Sequence, residues 1–191
     1  MARHVILHDR RLQGSAPIGR TLTTIQLDKS RSLFATFPII STLGRLDGAQ
    51  RFFILCHGYA GTNQRAGLCA DMGGMGLELG REGVMHSNVA RWSAIRGAVS
   101  TIVVYSCGAA DTQPENVGTT ADGKYLMGAL ALHTQATVYA ADRIQWYTTG
   151  LSSNGPFNFG SWEGTLWKFE PSGTFGPALG NRVPLELGEV S

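Results

Sequence analysis

Three short runs of apolar residues, separated by segments with helical spacing, constrain the fold of this chain more than any other feature. The runs cover residues 51–56 (RFFILC), 101–105 (TIVVY) and 137–141 (TVYAA). A continuous apolar run of this length, bounded by turn residues, is typical of a strand covered on both faces of a sheet. Residues 87–96 and 122–135, which lie between the runs, have the apolar spacing of helices. This alternation predicts an α/β fold with a mostly parallel central sheet.

The outer parts of the chain carry weaker patterns. Residues 4–8 and 21–27 are predicted strands, and residues 30–46 have near-helical apolar spacing. From residue 144 onward, aromatic residues alternate with Gly, Ser and Asn, which predicts a β-rich tail with a hairpin over residues 144–191. The last residues, after Pro177, have no clear pattern, and we expect them to be loosely ordered.

The composition is that of one globular domain over residues 1–191. Hydrophobic residues make up 43% and charged residues 16%, which argues against general disorder. The net charge is only +2 and no basic block is present, so we expect no nucleic-acid partner. Because no apolar run is long enough to span a bilayer and the N-terminus lacks the pattern of a secretory signal, we expect no membrane association. A cytoplasmic location follows as an expectation, with export by a signal-free route and the oligomeric state left open.

The chain has three cysteines, Cys56, Cys69 and Cys107. An odd and sparse number favours a reducing compartment over a disulfide framework. A zinc site built from Cys56, His57 and Cys69 would lack a CxxC motif, and adjacent residues of a strand point to opposite faces. We therefore expect neither a metal nor a cofactor.

Reactive side chains follow the predicted central strands directly. His57 follows the first apolar run, and Cys107 stands one residue after Ser106 beyond the second. In open α/β sheets, ligands bind at the carboxyl ends of the strands. A cysteine nucleophile needs a neighbouring base, and imidazole is the usual one because it titrates near neutral pH. The sequence therefore predicts a His–Cys pair at one edge of the sheet.

The segments FFILCHGYAG and TIVVYSCGAA resemble the His-Gly and Cys motifs of caspase-like cysteine peptidases (clan CD), in particular the CHAT-type and metacaspase-type bacterial members. His57 precedes Cys107 by 50 positions, which matches the order and approximate spacing in caspases. The resemblance covers about residues 50–142. It implies a caspase-like three-layer sandwich with a mostly parallel central sheet.

The resemblance also implies a cysteine endopeptidase that acts on a protein or peptide substrate. Cys107 would attack the carbonyl carbon of the scissile peptide bond, and His57 would act as acid and base. The backbone N–H groups of Gly58 and Cys107 would form the oxyanion hole, where a glycine allows the backbone to approach closely.

The pocket for the residue before the scissile bond would lie beside the Cys and the following strand. Asp142, with Asp111 as a second candidate, would line this pocket and favour a basic substrate residue. Tyr105 and Ser106 stand where caspases have Gln-Ala, so the resemblance does not fix the substrate preference.

Two other functions remain open at this point. The segment ILCHGYAG also resembles the His-Gly oxyanion segment of an α/β-hydrolase-like esterase, with Cys107 as nucleophile and His133 or a later residue as base. However, Tyr105 and Ala109 stand where the nucleophile elbow requires glycine. The third function is a catalytically inert caspase-like module that binds a partner.

Overall fold

The centre of the molecule is a seven-stranded sheet in the order β2-β1-β3-β6-β7-β8-β9. The computed structural model describes residues 4–47, 51–59 and 73–190. The strands, numbered along the chain, are β1 (His4–Asp9), β2 (Leu22–Leu27), β3 (Arg51–Leu55), β4 (His57–Gly58), β5 (Leu77–Glu78), β6 (Thr101–Tyr105), β7 (Thr137–Ala141), β8 (Leu166–Phe169) and β9 (Phe175–Pro177). The strands from β2 to β7 in this order are parallel, and β8 and β9 are antiparallel. The prediction of an α/β fold with a mostly parallel central sheet is confirmed, and β4 and β5 form a separate small antiparallel pair.

Two α-helices and several 3-10 helices connect the strands. The α-helices are α1 (Phe37–Asp47) and α2 (Gly123–Thr134), and the 3-10 helices are Phe34–Thr36, Val89–Ile95, Pro114–Asn116, Leu179–Asn181 and Leu187–Glu189. The segment predicted as a helix over residues 87–96 is thus a 3-10 helix. Its buried residues, Val89, Trp92 and Ile95, are three positions apart, which is the period of a 3-10 helix.

Helix α2 begins and ends within a residue of its predicted bounds. The Asp122 side chain caps its N-terminus by accepting a hydrogen bond from the Tyr125 N–H at 3.0 Å. Gln135 ends the helix in the left-handed conformation, with φ of 57°. The chain after α2 continues directly into β7. The end of α2 and Cys107 lie at opposite edges of the sheet.

The two faces of the sheet are covered differently. One face packs against α1, α2 and the 3-10 helix Val89–Ile95. The other face is covered by loops and by the end of the chain, including the buried Val183, Leu187 and Val190. The expectation of loosely ordered chain after Pro177 is therefore wrong for the described residues up to 190, since these apolar side chains complete a core. The third layer of the molecule is irregular chain with short 3-10 turns.

The sheet order places a topological switch point at the carboxyl ends of β1 and β3. The chain after β1 crosses the face that contains Leu12, whereas the chain after β3 crosses the opposite face, which contains Trp92. Adjacent strands whose connections leave on opposite faces leave an opening between them, where α/β proteins bind ligands. Among the described residues, no helix is long and apolar enough to cross a membrane.

Candidate active site

His57 and Cys107 leave neighbouring strands at the same edge of the sheet. Strands β3 and β6 are paired in parallel, with Leu55 opposite Tyr105. His57 and Cys107 each stand two positions after this pair, so their backbones lie level with each other. Adjacent strands are about 4.8 Å apart, which brings the two backbones together. Both side chains are half-buried. The geometry thus brings the predicted pair to one place.

The imidazole of His57 is oriented by a backbone carbonyl from the turn that follows β1. Its Nε2 lies 3.2 Å from the carbonyl oxygen of Arg11. A carbonyl can only accept, so Nε2 carries the proton of this hydrogen bond and Nδ1 holds the lone pair of the neutral ring. A main-chain oxygen thus orients the imidazole, which is the task of the third group in a catalytic triad.

A partly buried ionic cluster holds the Arg11 segment in place. The Arg11 guanidinium donates to both carboxylate oxygens of Asp9, at 2.8 and 2.7 Å, and to Glu78 at 2.8 Å. Asp9 is fully buried and also accepts from the Gly80 N–H at 2.7 Å. Burial alone would raise the pKa of Asp9, but the hydrogen bonds from Arg11 and Gly80 outweigh it and lower the pKa. The cluster ties β1 to β5, whose Glu78 is paired with His57.

The N–H of Gly58 faces away from β5. Tyr59 N–H donates to the Gly76 carbonyl at 2.9 Å, and bonded and non-bonded residue pairs alternate along an antiparallel ladder. The neighbouring pair, Gly58 and Leu77, is therefore a non-bonded pair. The Gly58 N–H is therefore not used in the pairing of β4 with β5.

The backbones of Gly58 and Cys107 are in close contact. A Cβ atom added to Gly58 would overlap the carbonyl oxygen of Cys107, so this position requires glycine. Within the described ranges, the Cys107 N–H donates to no acceptor of the chain. The Gly58 N–H, which faces away from β5, and the Cys107 N–H thus lie on neighbouring backbones, and two N–H groups close together can bind an oxyanion.

The turn that carries Cys107 is held on two sides. Gly108 N–H donates to the Arg143 carbonyl at 2.8 Å, and the Gly108 carbonyl accepts from the Gly74 N–H at 2.8 Å. Gly108 has φ of +54°, in the left-handed region that favours glycine. These bonds fix the turn between the end of β7 and the segment at residues 73–74.

The two predicted pocket acids are engaged in hydrogen bonds within the chain. Asp142 accepts from the Thr165 N–H and from the Trp167 Nε1–H, each at 2.9 Å. Asp111 is buried and accepts from the Gly73 N–H at 2.8 Å. The structure therefore uses both carboxylates to join elements of the fold, and their role in a substrate pocket stays a prediction that these bonds do not favour.

The other cysteines and histidines lie apart from this pair. Cys56 is buried in the core, and burial raises the pKa of its thiol. Cys69 lies outside the described residues. His133 is in the last turn of α2. The next residue, Thr134, accepts a backbone hydrogen bond from Gly97, near the amino ends of β6 and β7. His133 is therefore at the edge of the sheet opposite Cys107. No group of three or more His, Cys, Asp or Glu side chains in the described ranges could hold a metal ion.

Comparison with protein-family models, curated proteins and solved structures gave no match, so the geometry of this edge carries the functional argument. The sequence pattern identified His57, Cys107 and Gly58 but missed Arg11, Asp9 and Glu78. The position of Asp9 and Arg11 directly after a buried strand was a usable signal. The link between these two residues and His57 follows only from the position of β1 beside β3 in the sheet.

Proposed function

We propose that this chain is a caspase-like cysteine endopeptidase in which Cys107 is the nucleophile and His57 the acid and base. One observation carries the proposal: the backbones of Gly58 and Cys107 are in contact at the strand end next to His57, and in the described ranges the Cys107 N–H has no acceptor. An oriented imidazole, a thiol and an oxyanion site are the components that acyl transfer to a cysteine requires.

The chemistry follows from these positions. Nδ1 of His57 accepts the thiol proton while the Nε2–H stays bonded to the Arg11 carbonyl. The Cys107 sulfur forms a bond to the peptide carbonyl carbon, and the resulting oxyanion is stabilised by the N–H groups of Gly58 and Cys107. The C–N bond breaks as His57 donates its proton to the leaving amine. Water, activated by the same imidazole, then releases the acyl group and restores the thiol.

The esterase alternative has less support because His133 is at the opposite edge of the sheet from Cys107. A base at that distance cannot accept the thiol proton. A catalytically inert binding module would have the same fold but an unreactive Cys107 thiol. The experiments below distinguish it from the peptidase.

Selective alkylation tests the proposal. In a chain with Cys69→Ser, iodoacetamide at neutral pH should modify Cys107 and leave the buried Cys56 unmodified, as read by mass spectrometry of peptides. His57→Ala should slow the modification of Cys107 because the thiolate loses its base. Cys56 is the internal control for unfolding, since its modification would report loss of the core.

A peptide library provides the activity measurement. Cleavage by the unmodified chain should disappear with Cys107→Ala and fall by about 10²-fold or more with His57→Ala, the range typical of general acid–base catalysis. His133→Ala should leave cleavage unchanged. An inert Cys107 together with no cleavage would support the binding module and overturn the peptidase proposal.

A further inference from the structure

A cavity of about 400 Å³ lies between α1 and the 3-10 helix Val89–Ile95, on the face of the sheet that the helices cover. One wall comes from the segment at residues 34–45, and the other comes from Arg91 and Ala94. A cavity of this volume is within the range in which proteins bind small molecules.

Two close approaches hold the walls of the cavity together. The Ser41 hydroxyl, in α1, donates to the Ala94 carbonyl at 3.0 Å. Gly44 lies so close to the chain after the 3-10 helix that a Cβ atom there would overlap the Ala98 carbonyl oxygen. A cavity whose walls are already joined binds a ligand at a lower entropic cost than one that must first become ordered.

Aromatic rings form the floor of the cavity. The buried Phe37 packs on the fully buried Trp92, with ring centroids 5.1 Å apart. The Phe34 ring packs edge-on against Phe37 at 5.4 Å. The floor is therefore continuous with the core, and it offers apolar surface to the body of a ligand.

Two exposed arginines, Arg45 and Arg91, line the same cavity. The Arg91 guanidinium lies over the Phe34 ring, with its central carbon 3.6 Å from the ring centroid. Stacking uses the face of a guanidinium and leaves its N–H groups, which lie in the plane, available to an acceptor. In residues 4–47, 51–59 and 73–190, neither arginine forms an ion pair with Asp or Glu.

The combination of an apolar floor and two guanidinium groups favours a carboxylate ligand. The planar fork of guanidinium N–H groups matches the two oxygens of a carboxylate. A carboxylate carries one negative charge, whereas a phosphate ester carries about 1.5 to 2 at neutral pH. The phosphate therefore loses more hydration beside an apolar floor than the carboxylate does.

We propose that this cavity binds a small organic acid, with its apolar or aromatic body against Phe34 and Phe37 and its carboxylate paired with Arg45 and Arg91. The site is independent of the peptidase proposal, because the cavity contains neither His57 nor Cys107. It adds a binding function to the helix-covered face of the sheet.

A titration with 3-phenylpropionate tests the site, and the uncharged 3-phenylpropionamide is the matched probe. The backbone amide NMR signals of Ser41 and Ala94 report binding. The carboxylate should bind about fivefold to tenfold more tightly than the amide, the range expected for partly exposed charge-assisted contacts. Acetate, which lacks the apolar body, should bind at least about tenfold more weakly than 3-phenylpropionate.

Substitutions of the arginines assign the preference to the cavity. Arg45→Gln and Arg91→Gln should each lower the preference for the carboxylate over the amide by about threefold. Arg96→Gln is the matched control, since Arg96 is exposed at the end of the same 3-10 helix but does not line the cavity. It should leave the preference unchanged. Unchanged signals of β3 and β6 would show that the variants keep the fold.

Three results would overturn the proposal. Equal affinity for the two probes, or a preference that survives both Arg45→Gln and Arg91→Gln, contradicts the role of the arginines. Tighter binding of phenyl phosphate than of 3-phenylpropionate contradicts the choice of a carboxylate. Signals that shift with protein concentration in the absence of any probe would show that a second copy of the chain occupies the cavity. None of these readouts depends on cleavage, so failure of this site is distinct from failure of the peptidase proposal.

Discussion

Gly58 lies so close to the Cys107 carbonyl that a Cβ atom cannot be accommodated without moving one of the two backbones. Both residues stand at strand ends that the main sheet fixes in register. A shift of the backbone here would displace the two N–H groups that we assign to the oxyanion hole. The oxyanion hole that we propose therefore depends on the geometry at this position.

Gly58→Ala should lower kcat/KM for peptide cleavage by about 10²-fold, comparable to the loss of one oxyanion donor. Gly176→Ala is the matched control, because nothing lies within 4 Å of a Cβ atom at that position. Circular dichroism and thermal unfolding should show that both variants keep the fold. Full activity in a folded Gly58→Ala variant would contradict the role of this backbone contact.

The sequence predicted which residues stand at strand ends, but it did not predict their hydrogen-bond partners. His57 and Cys107 follow apolar runs, so their common edge could be predicted. The hydrogen bonds of Asp142 to Thr165 and Trp167 could not, because they require the antiparallel addition of β8 beside β7. A carboxylate at a strand end is equally suited to bind substrate or to fasten a neighbouring strand.

Helix α2 is held at its N-terminus by Asp122, which accepts from the backbone of Gly118 and Tyr125 and from the Thr112 hydroxyl. Burial would raise the pKa of Asp122, but these hydrogen bonds outweigh it and lower the pKa. A lowered pKa means that the ionised carboxylate stabilises the fold. This stabilisation is complete above the unfolded-state pKa of about 4 and is lost as the pH falls through the lower folded-state value.

Asp122→Ala should reduce the free energy of unfolding at pH 7 by about 1–2 kcal/mol, the typical effect of losing an N-cap. The difference from the unmodified chain should shrink as the pH falls from 7 through the lowered folded-state pKa of Asp122, because the carboxylate of the unmodified chain then becomes protonated. Urea unfolding over this pH range provides the measurement. Glu115→Ala, on an exposed turn, should change stability by less than about 0.5 kcal/mol, and an equal loss there would contradict a capping role for Asp122.

For the helices and strands, the sequence predicted where an element lies better than which type of helix or strand it is. The apolar spacing of residues 87–96 indicated a helix, but the three-residue period of its buried side chains produces a 3-10 helix. Strands β6 and β7 have their predicted bounds because continuous apolar runs end abruptly at polar residues.

The end of the chain completes the second core of the whole molecule. Glu186 accepts from the Tyr105 hydroxyl at 2.6 Å and from the Trp162 Nε1–H at 2.9 Å. Burial and the adjacent Glu186 charge raise the pKa of Tyr105, so its hydroxyl stays a donor. Strand β6, which leads to Cys107, is thus tied to a segment more than 80 residues further along the chain.

Glu186→Ala should lower the free energy of unfolding by about 2–4 kcal/mol, because two donors lose their acceptor at a partly buried site. Glu186→Gln, which keeps one acceptor oxygen, should lose less. Glu170→Ala removes a partly exposed ion pair with Lys168 and a hydrogen bond from the Thr137 hydroxyl, and should cost about 1 kcal/mol. Denaturant unfolding measures all three, and equal losses for Glu186→Ala and Glu170→Ala would contradict the role of this link.

The sequence by itself determined the central strands, α2 and the pair His57 and Cys107, because local apolar patterns and strand ends specify these features directly. Only the tertiary structure decided which face each connection crosses, that Arg11 orients His57, and that the last residues are buried. These contacts join positions far apart in the chain, and no local pattern encodes the partner of a carbonyl or a carboxylate. The proposed pair follows from two sequence motifs, whereas the contacts around it depend on the order of the strands in the sheet.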